Sequence, residues 1–106
     1  MSAFSDSASS AASRESARAE VRLHHEAGLH ARPAVKLTKL AKKFASRIAM
    51  STSDEGPWID AKSIVKVMGA KTPCDSILHF HAEGADAGDA VQALVALVEQ
   101  DFPDDG

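Results

Sequence analysis

No tyrosine occurs in this 106-residue chain, and tryptophan occurs once. The stacking platforms that single-strand nucleic-acid binders build from aromatic side chains are therefore missing. An excess of positive charge is missing too. The formal net charge is −3, which argues against a general polyanion binder. Cysteine is present once, at Cys74, so neither an intramolecular disulfide nor a Cys-pair zinc motif can form, as suits a reducing compartment. No apolar run approaches the roughly 20 residues of a membrane span. The N-terminus lacks the basic-then-apolar layout of a secretory signal. The expectation is a soluble, cytoplasmic protein with neither nucleic acid nor membrane among its partners. What is present suffices for one small domain: 44% of residues are hydrophobic, and the length fits one core rather than two.

Residues 1–18 are rich in Ser and Ala and nearly free of bulky apolar groups, so they are read as a flexible tail. An amphipathic helix over Ala11–Ala19 is the alternative. The domain is placed at 19–103, with a short acidic tail at 104–106. From Glu20 onward, Val21 and Leu23 alternate with Arg22 and His24, the period of a half-buried strand. Ala34, Leu37, Leu40, Ala41 and Phe44 recur at helical spacing and predict a helix over 32–45, with Pro33 in its first turn. Lys36, Lys39 and Lys43 form a basic stripe on it. Two short strands follow, near 47–51 and 57–60, joined by the turn Asp54-Glu55-Gly56-Pro57. The stretch 60–69 reads as a short helix capped by Ser63 or Asp60 and stopped at Gly69. Residues 76–83 alternate again, with Leu78, Phe80 and Ala82 on one face and Ile77, His79, His81 and Glu83 on the other. Asp86 then caps a last helix with Ala90, Val91, Leu94, Leu97 and Val98 on its apolar face. The order β-α-β-β-α-β-α predicts an α+β fold, an open-faced β-sandwich with three helices on one face of a four-stranded antiparallel sheet.

The chemistry concentrates in "GLHARP", residues 28–33. A helix starting at Arg32 or Pro33 puts His30 just before free backbone N–H groups and the positive end of the helix dipole. That field disfavours the imidazolium and keeps a nucleophilic ring nitrogen available. The same N–H groups are a natural seat for phosphate, and the forked Arg32 guanidinium can close over it. Nucleophile, anion cradle and counter-charge together describe a histidine that accepts and later surrenders a phosphoryl group. Proton-shuttle catalysis fits less well, because no Asp or Glu lies nearby in sequence to orient the ring.

GLHARP before an amphipathic helix resembles the active-site signature of the HPr phosphocarrier family of the phosphoenolpyruvate-dependent phosphotransferase system. "AKSIVKVM" stands in the place of that family's second helix, and "AEGADA" leads into its last. The resemblance runs from about Glu20 to Phe102. It implies that His30 carries phosphate on Nδ1 and that Arg32 helps hold it. Enzyme I is implied as donor, and a histidine of an EIIA-type or dihydroxyacetone-kinase phosphotransfer component as acceptor. The implied protein is a monomeric carrier without turnover of its own, needing no metal or organic cofactor. Ser63 matches a serine that a dedicated kinase phosphorylates in some lineages; a phosphate there would add about −1.5 to −2 charges at a helix N-terminus. Ala31, Ala34, Lys39, Lys42, Ile64, Val67 and Met68 match the family's docking surface. The loop "GAKTPCDS" (69–76) departs from the family's glycine-containing loop, as does a longer turn around Asp54–Trp58. Two rival readings are a regulatory binding module docking through Ile64–Met68 without phosphoryl transfer, and a metal-binding protein built on His24, His79 and His81.

Overall fold

The computed structural model describes residues 15–103. Along them run β1 (Ser16–Arg22), α1 (Ala31–Ala41), β2 (Arg47–Ser51), β3 (Ile59–Asp60), α2 (Ile64–Gly69), β4 (Ile77–Glu83) and α3 (Ala87–Glu99). The strands form one antiparallel sheet in the order β1-β4-β2-β3. Alternation decides which face is covered. Leu78, Phe80 and Ala82 of β4 are fully buried, while His79 and His81 between them stay half-exposed on the other side. Val21 lies opposite Leu78 and Ala19 opposite Phe80; on the other flank Met50 pairs with Phe80 and Ile48 with Ala82. Onto this apolar face α3 packs Ala90, Leu94 and Val98, and α1 adds Ala34, Leu37 and Ala41. Burying each large side chain contributes about 1.5–3 kcal/mol. The α+β sandwich expected from the sequence is what forms.

Element ends differ from the reading of the sequence in instructive ways. β1 begins at Ser16, inside the stretch assigned to the tail, and residues 16–19 are strand rather than helix. Ala17 and Ala19 supply its inward positions, and methyl groups leave too faint an alternation to notice. The remainder of that tail, the rest of the alternative helix and the acidic tail lie outside the described residues. α1 stops at Ala41 rather than 45, because the chain tightens there: Lys43 and Phe44 donate to the carbonyls of Leu40 and Ala41, three residues back. Phe44 still packs on the core. β3 starts at Ile59 rather than 57, since Pro57 has no N–H to give a ladder. Ser63 is the cap of α2, its hydroxyl accepting the Lys66 amide at 3.3 Å, while Asp60 accepts the Lys62 amide at 2.9 Å one turn earlier.

Asp86 does occupy the N-cap of α3, yet its carboxylate makes no cap bond. It reaches instead to the loop after α1, where it accepts the amides of Ala45 and Ser46, both at 2.9 Å, and the Ser46 hydroxyl. The Ser46 hydroxyl above all, then the Ala45 amide, holds this carboxyl below the usual carboxylate range. One side chain thereby ties the entry of β2 to the entry of α3.

Candidate functional site

α1 begins at Ala31, with His30 in extended conformation as its N-cap. The His30 carbonyl accepts the Ala34 amide at 2.9 Å, and Pro33 has no N–H. The amides of Ala31 and Arg32 are therefore the two that precede the helical ladder, the donors an anion would meet. The His30 ring makes no cap bond, and His30, Ala31 and Arg32 are all exposed.

The turn that presents His30 is fastened from behind. Gly28 takes φ +75°, a left-handed conformation, and donates to the His25 carbonyl at 2.9 Å. Leu29 is buried and donates to the Thr72 carbonyl at 2.8 Å. An added Cβ at Gly28 would lie 2.5 Å from that Thr72 oxygen, so glycine is required both by φ and by space. Leu23 exchanges bonds with the same loop, donating to Ser76 and accepting from Asp75, each at 2.8 Å. The 69–76 loop is thus the backing of the candidate site.

The structure adds two groups that the sequence reading did not find. His25 Nε2 lies 3.2 Å from His30 Nε2, with the rings 5.2 Å apart and inclined by 32°. His25 Nδ1 lies 2.9 Å from an Asp101 carboxylate oxygen. The acid that reaches this pair comes from the far end of the domain, 76 positions from His25, where nothing local to His30 points to it. Only the placement of His25 five residues before His30 hinted at a pair. Asp101 (φ +60°) and Phe102 (φ +52°) both take left-handed conformations, and the Phe102 ring meets His25 edge-on at 6.1 Å. Lys36 donates to the Phe102 carbonyl at 2.9 Å.

The expected docking residues divide. Ala34 and Val67 are fully buried and belong to the core, a correction that follows from helical spacing. Ile64 and Val67, three apart, point inward together, so Val65 and Met68 point outward. Ile64 is half-buried against the core. Met68 is 40% exposed, as expected, but Val65 at 77% and Val35 at 41% were not anticipated. Lys42 is exposed; Lys39 lines a groove between α1 and α3 with Arg32, Lys43 and Leu97. Ser63 is half-buried, and Cys74 is a free thiol.

His24, His79 and His81 do not converge. Among the described residues no three His, Cys, Asp or Glu side chains are grouped to hold a metal ion. His79 faces Glu20 across the strand pair at 3.5 Å, His81 lies edge-on to Trp58, and His24 lies past the end of β1. The metal-protein reading has no cluster to rest on. Among the described residues no helix is long and apolar enough to cross a membrane.

Comparison with known proteins agrees with this geometry. The family PTS-HPr, described as the PTS HPr component phosphorylation site, matches residues 17–100. Over 75 residues the chain is 41% identical to the phosphocarrier protein HPr of Cupriavidus necator, covering 71% of this chain and 82% of that protein. Over 84 residues it is 44% identical to the multiphosphoryl transfer protein of Vibrio cholerae, covering 76% of this chain but only 21% of that much longer relative. The crystal structure of HPr-C-His from Thermoanaerobacter tengcongensis superposes with a TM-score of 0.76 at 32% identity, covering 85% of this chain and 99% of that one. Sequence, fold and the helix-capping histidine converge: the chain belongs to the HPr family of phosphocarriers of the phosphotransferase system.

Proposed function

We propose that His30 receives a phosphoryl group from phosphorylated enzyme I and passes it to a histidine of a downstream component, of EIIA type or a dihydroxyacetone-kinase phosphotransfer protein. The observation that carries this reading is the use of the ring: Nε2 of His30 is engaged by His25, which leaves Nδ1 as the reacting nitrogen of the residue that caps the N-terminus of α1. In the step, the Nδ1 lone pair forms a bond to phosphorus as the donor's phosphorus–nitrogen bond breaks, its electron pair returning to the donor. The amides of Ala31 and Arg32 and the Arg32 guanidinium receive the equatorial oxygens, whose charge they stabilise in place. The reverse displacement delivers the group to the next histidine. The chain is a carrier of the cytoplasm, without turnover of its own; phosphoenolpyruvate and magnesium chemistry belong to enzyme I.

Docking falls to the face beside His30. Met68 and Val65 offer exposed apolar area, Ile64 supports them, and Ala31 and Lys42 belong to the neighbouring helix. Lys39 and Arg32 extend a basic border for an acidic partner. Incubation with phosphoenolpyruvate, magnesium and a cognate enzyme I should add one acid-labile, alkali-stable phosphate. His30→Ala should abolish it, and loss of His79 and His81 together should not. Label persisting in His30→Ala would end the carrier reading.

A further inference from the structure

We infer that His25 and Asp101 are positioning residues that hold the neutral His30 ring with its proton on Nε2 and its lone pair on Nδ1. The inference rests on the proposed role of His30 and extends it to the two residues behind the ring. The direction of the chain of hydrogen bonds follows from its fixed end. An ionised carboxylate only accepts, so His25 Nδ1 donates to Asp101 across 2.9 Å. In a neutral His25 the proton is then spent on Nδ1, and Nε2 is an acceptor. Its neighbour at 3.2 Å, His30 Nε2, must supply the hydrogen. Which nitrogen of an imidazole is free is set by the bond the other nitrogen makes.

A second observation shows that this end of the chain is built to be there. Asp101 and Phe102 are consecutive non-glycine residues in left-handed conformation, which L-residues adopt only at a cost. The conformation persists because Phe102 is buried, donates its amide to the Leu97 carbonyl and has its own carbonyl held by Lys36. The result delivers the Asp101 carboxylate to one edge of His25 while the Phe102 ring meets that imidazole edge-on.

The arrangement favours the transfer step rather than the resting state. As the Nδ1 lone pair enters the new bond to phosphorus, the His30 ring becomes cationic and its Nε2–H a stronger donor. The bond to His25 strengthens, and Asp101 offsets the charge that His25 comes to share. Nothing is oxidised, and the proton remains between the two Nε2 atoms. Because His25 and Asp101 are 30% and 57% exposed, water screens the pair. A rate effect of about tenfold is expected, the scale of one hydrogen bond to a charged group.

The test combines long-range proton–nitrogen NMR of the imidazoles, recorded across a pH series, with phosphoryl transfer from enzyme I. The parent His30 should show a protonated Nε2 and an unprotonated Nδ1. His25→Phe keeps a ring against Phe102 but removes the acceptor. It should move His30 toward the Nδ1–H form and slow transfer about tenfold at saturating enzyme I, with apparent affinity unchanged. His25→Gln restores a carbonyl acceptor and should recover both readouts. Asp101→Gly, which tolerates the left-handed backbone, should shift the His30 tautomer in the same direction and serves if His25→Phe fails to fold. A parent His30 protonated on Nδ1, or variants whose tautomer and rate match the parent, would overturn the inference. A tautomer shift in a protein that accepts no phosphate supports the positioning pair and refutes the carrier reading alone.

Discussion

Gly28→Ala isolates the turn behind His30 from the chemistry in front of it. At φ +75° an alanine pays the left-handed penalty, roughly 1–2 kcal/mol. Its Cβ would also meet the Thr72 carbonyl oxygen at 2.5 Å, Pro73 Cα at 3.0 Å and the Cys74 nitrogen at 3.2 Å. All three are backbone atoms, so no side chain can rotate away. The Thr72 carbonyl must retreat, and it is the acceptor of the Leu29 amide at 2.8 Å. Weakening that bond adds about 1 kcal/mol, bringing the total to about 2–3 kcal/mol. For a domain of this size the loss corresponds to a melting temperature lower by roughly 10–25 °C. Gly88→Ala is the internal control. Gly88 lies in the first turn of α3 with nothing within 4 Å of its added Cβ, so alanine should stabilise by about 0.5 kcal/mol. Thermal denaturation followed by circular dichroism compares both with the parent. If Gly28→Ala melts within a degree or two of the parent, the turn is not fastened to the 72–74 loop as described.

Arg32→Ala should slow phosphoryl transfer by an order of magnitude or more, consistent with losing about 2–4 kcal/mol of electrostatic stabilisation, while its exposed position leaves the melting temperature nearly unchanged; quench-flow transfer assays beside melting curves check both. Ser63→Asp should keep α2, since aspartate caps helices well, but its charge beside Ile64 and near Met68 should weaken association with an acidic partner. Titration calorimetry at two salt concentrations should show the defect shrinking as salt rises. Asp86→Asn should lower the melting temperature at neutral pH, where the parent carboxylate is ionised and accepts from Ser46 and Ala45. Because folding depresses this carboxyl, its contribution is present above the unfolded-state value and disappears as pH falls through the folded-state value. The gap between parent and variant should therefore close in acid; a gap that is constant across pH would assign the effect to packing.

Alternating Leu78 and Phe80 and the three-four spacing of Leu37, Leu40 and Phe44 are legible because large apolar side chains announce their period. The same logic failed where side chains were small: Ala17 and Ala19 carry an inward face that composition alone read as tail. On α2 the period is too short to show phase: Ile64 pairs equally well with Val67 three residues on and with Met68 four residues on, and only packing decides that Val67 is buried while Val65 and Met68 are exposed. His30, Arg32 and Ser63 were legible because caps and helix starts are local features. His25 and Asp101 were not, since a contact between the two ends of a domain leaves no periodicity in either. Asp86 shows a third kind of miss: its position at the helix start was read correctly, but its hydrogen-bond partners belong to another element.

The Lys36–Phe102 contact has a consequence in time as well as in space. Helix ends open and close at little free-energy cost compared with global unfolding, and the turn after α3 is where the acid behind the imidazoles resides. Each opening of that turn would release His25, and with it the ring it steadies, while the sheet stays intact. Lys36 restrains this fraying from α1, one turn beyond Arg32 on the helix that His30 caps. The fraction of molecules with a correctly held ring is therefore a local equilibrium, set by how often the last turn is closed. Hydrogen exchange at the Phe102 amide, bonded to Leu97, reports that opening residue by residue.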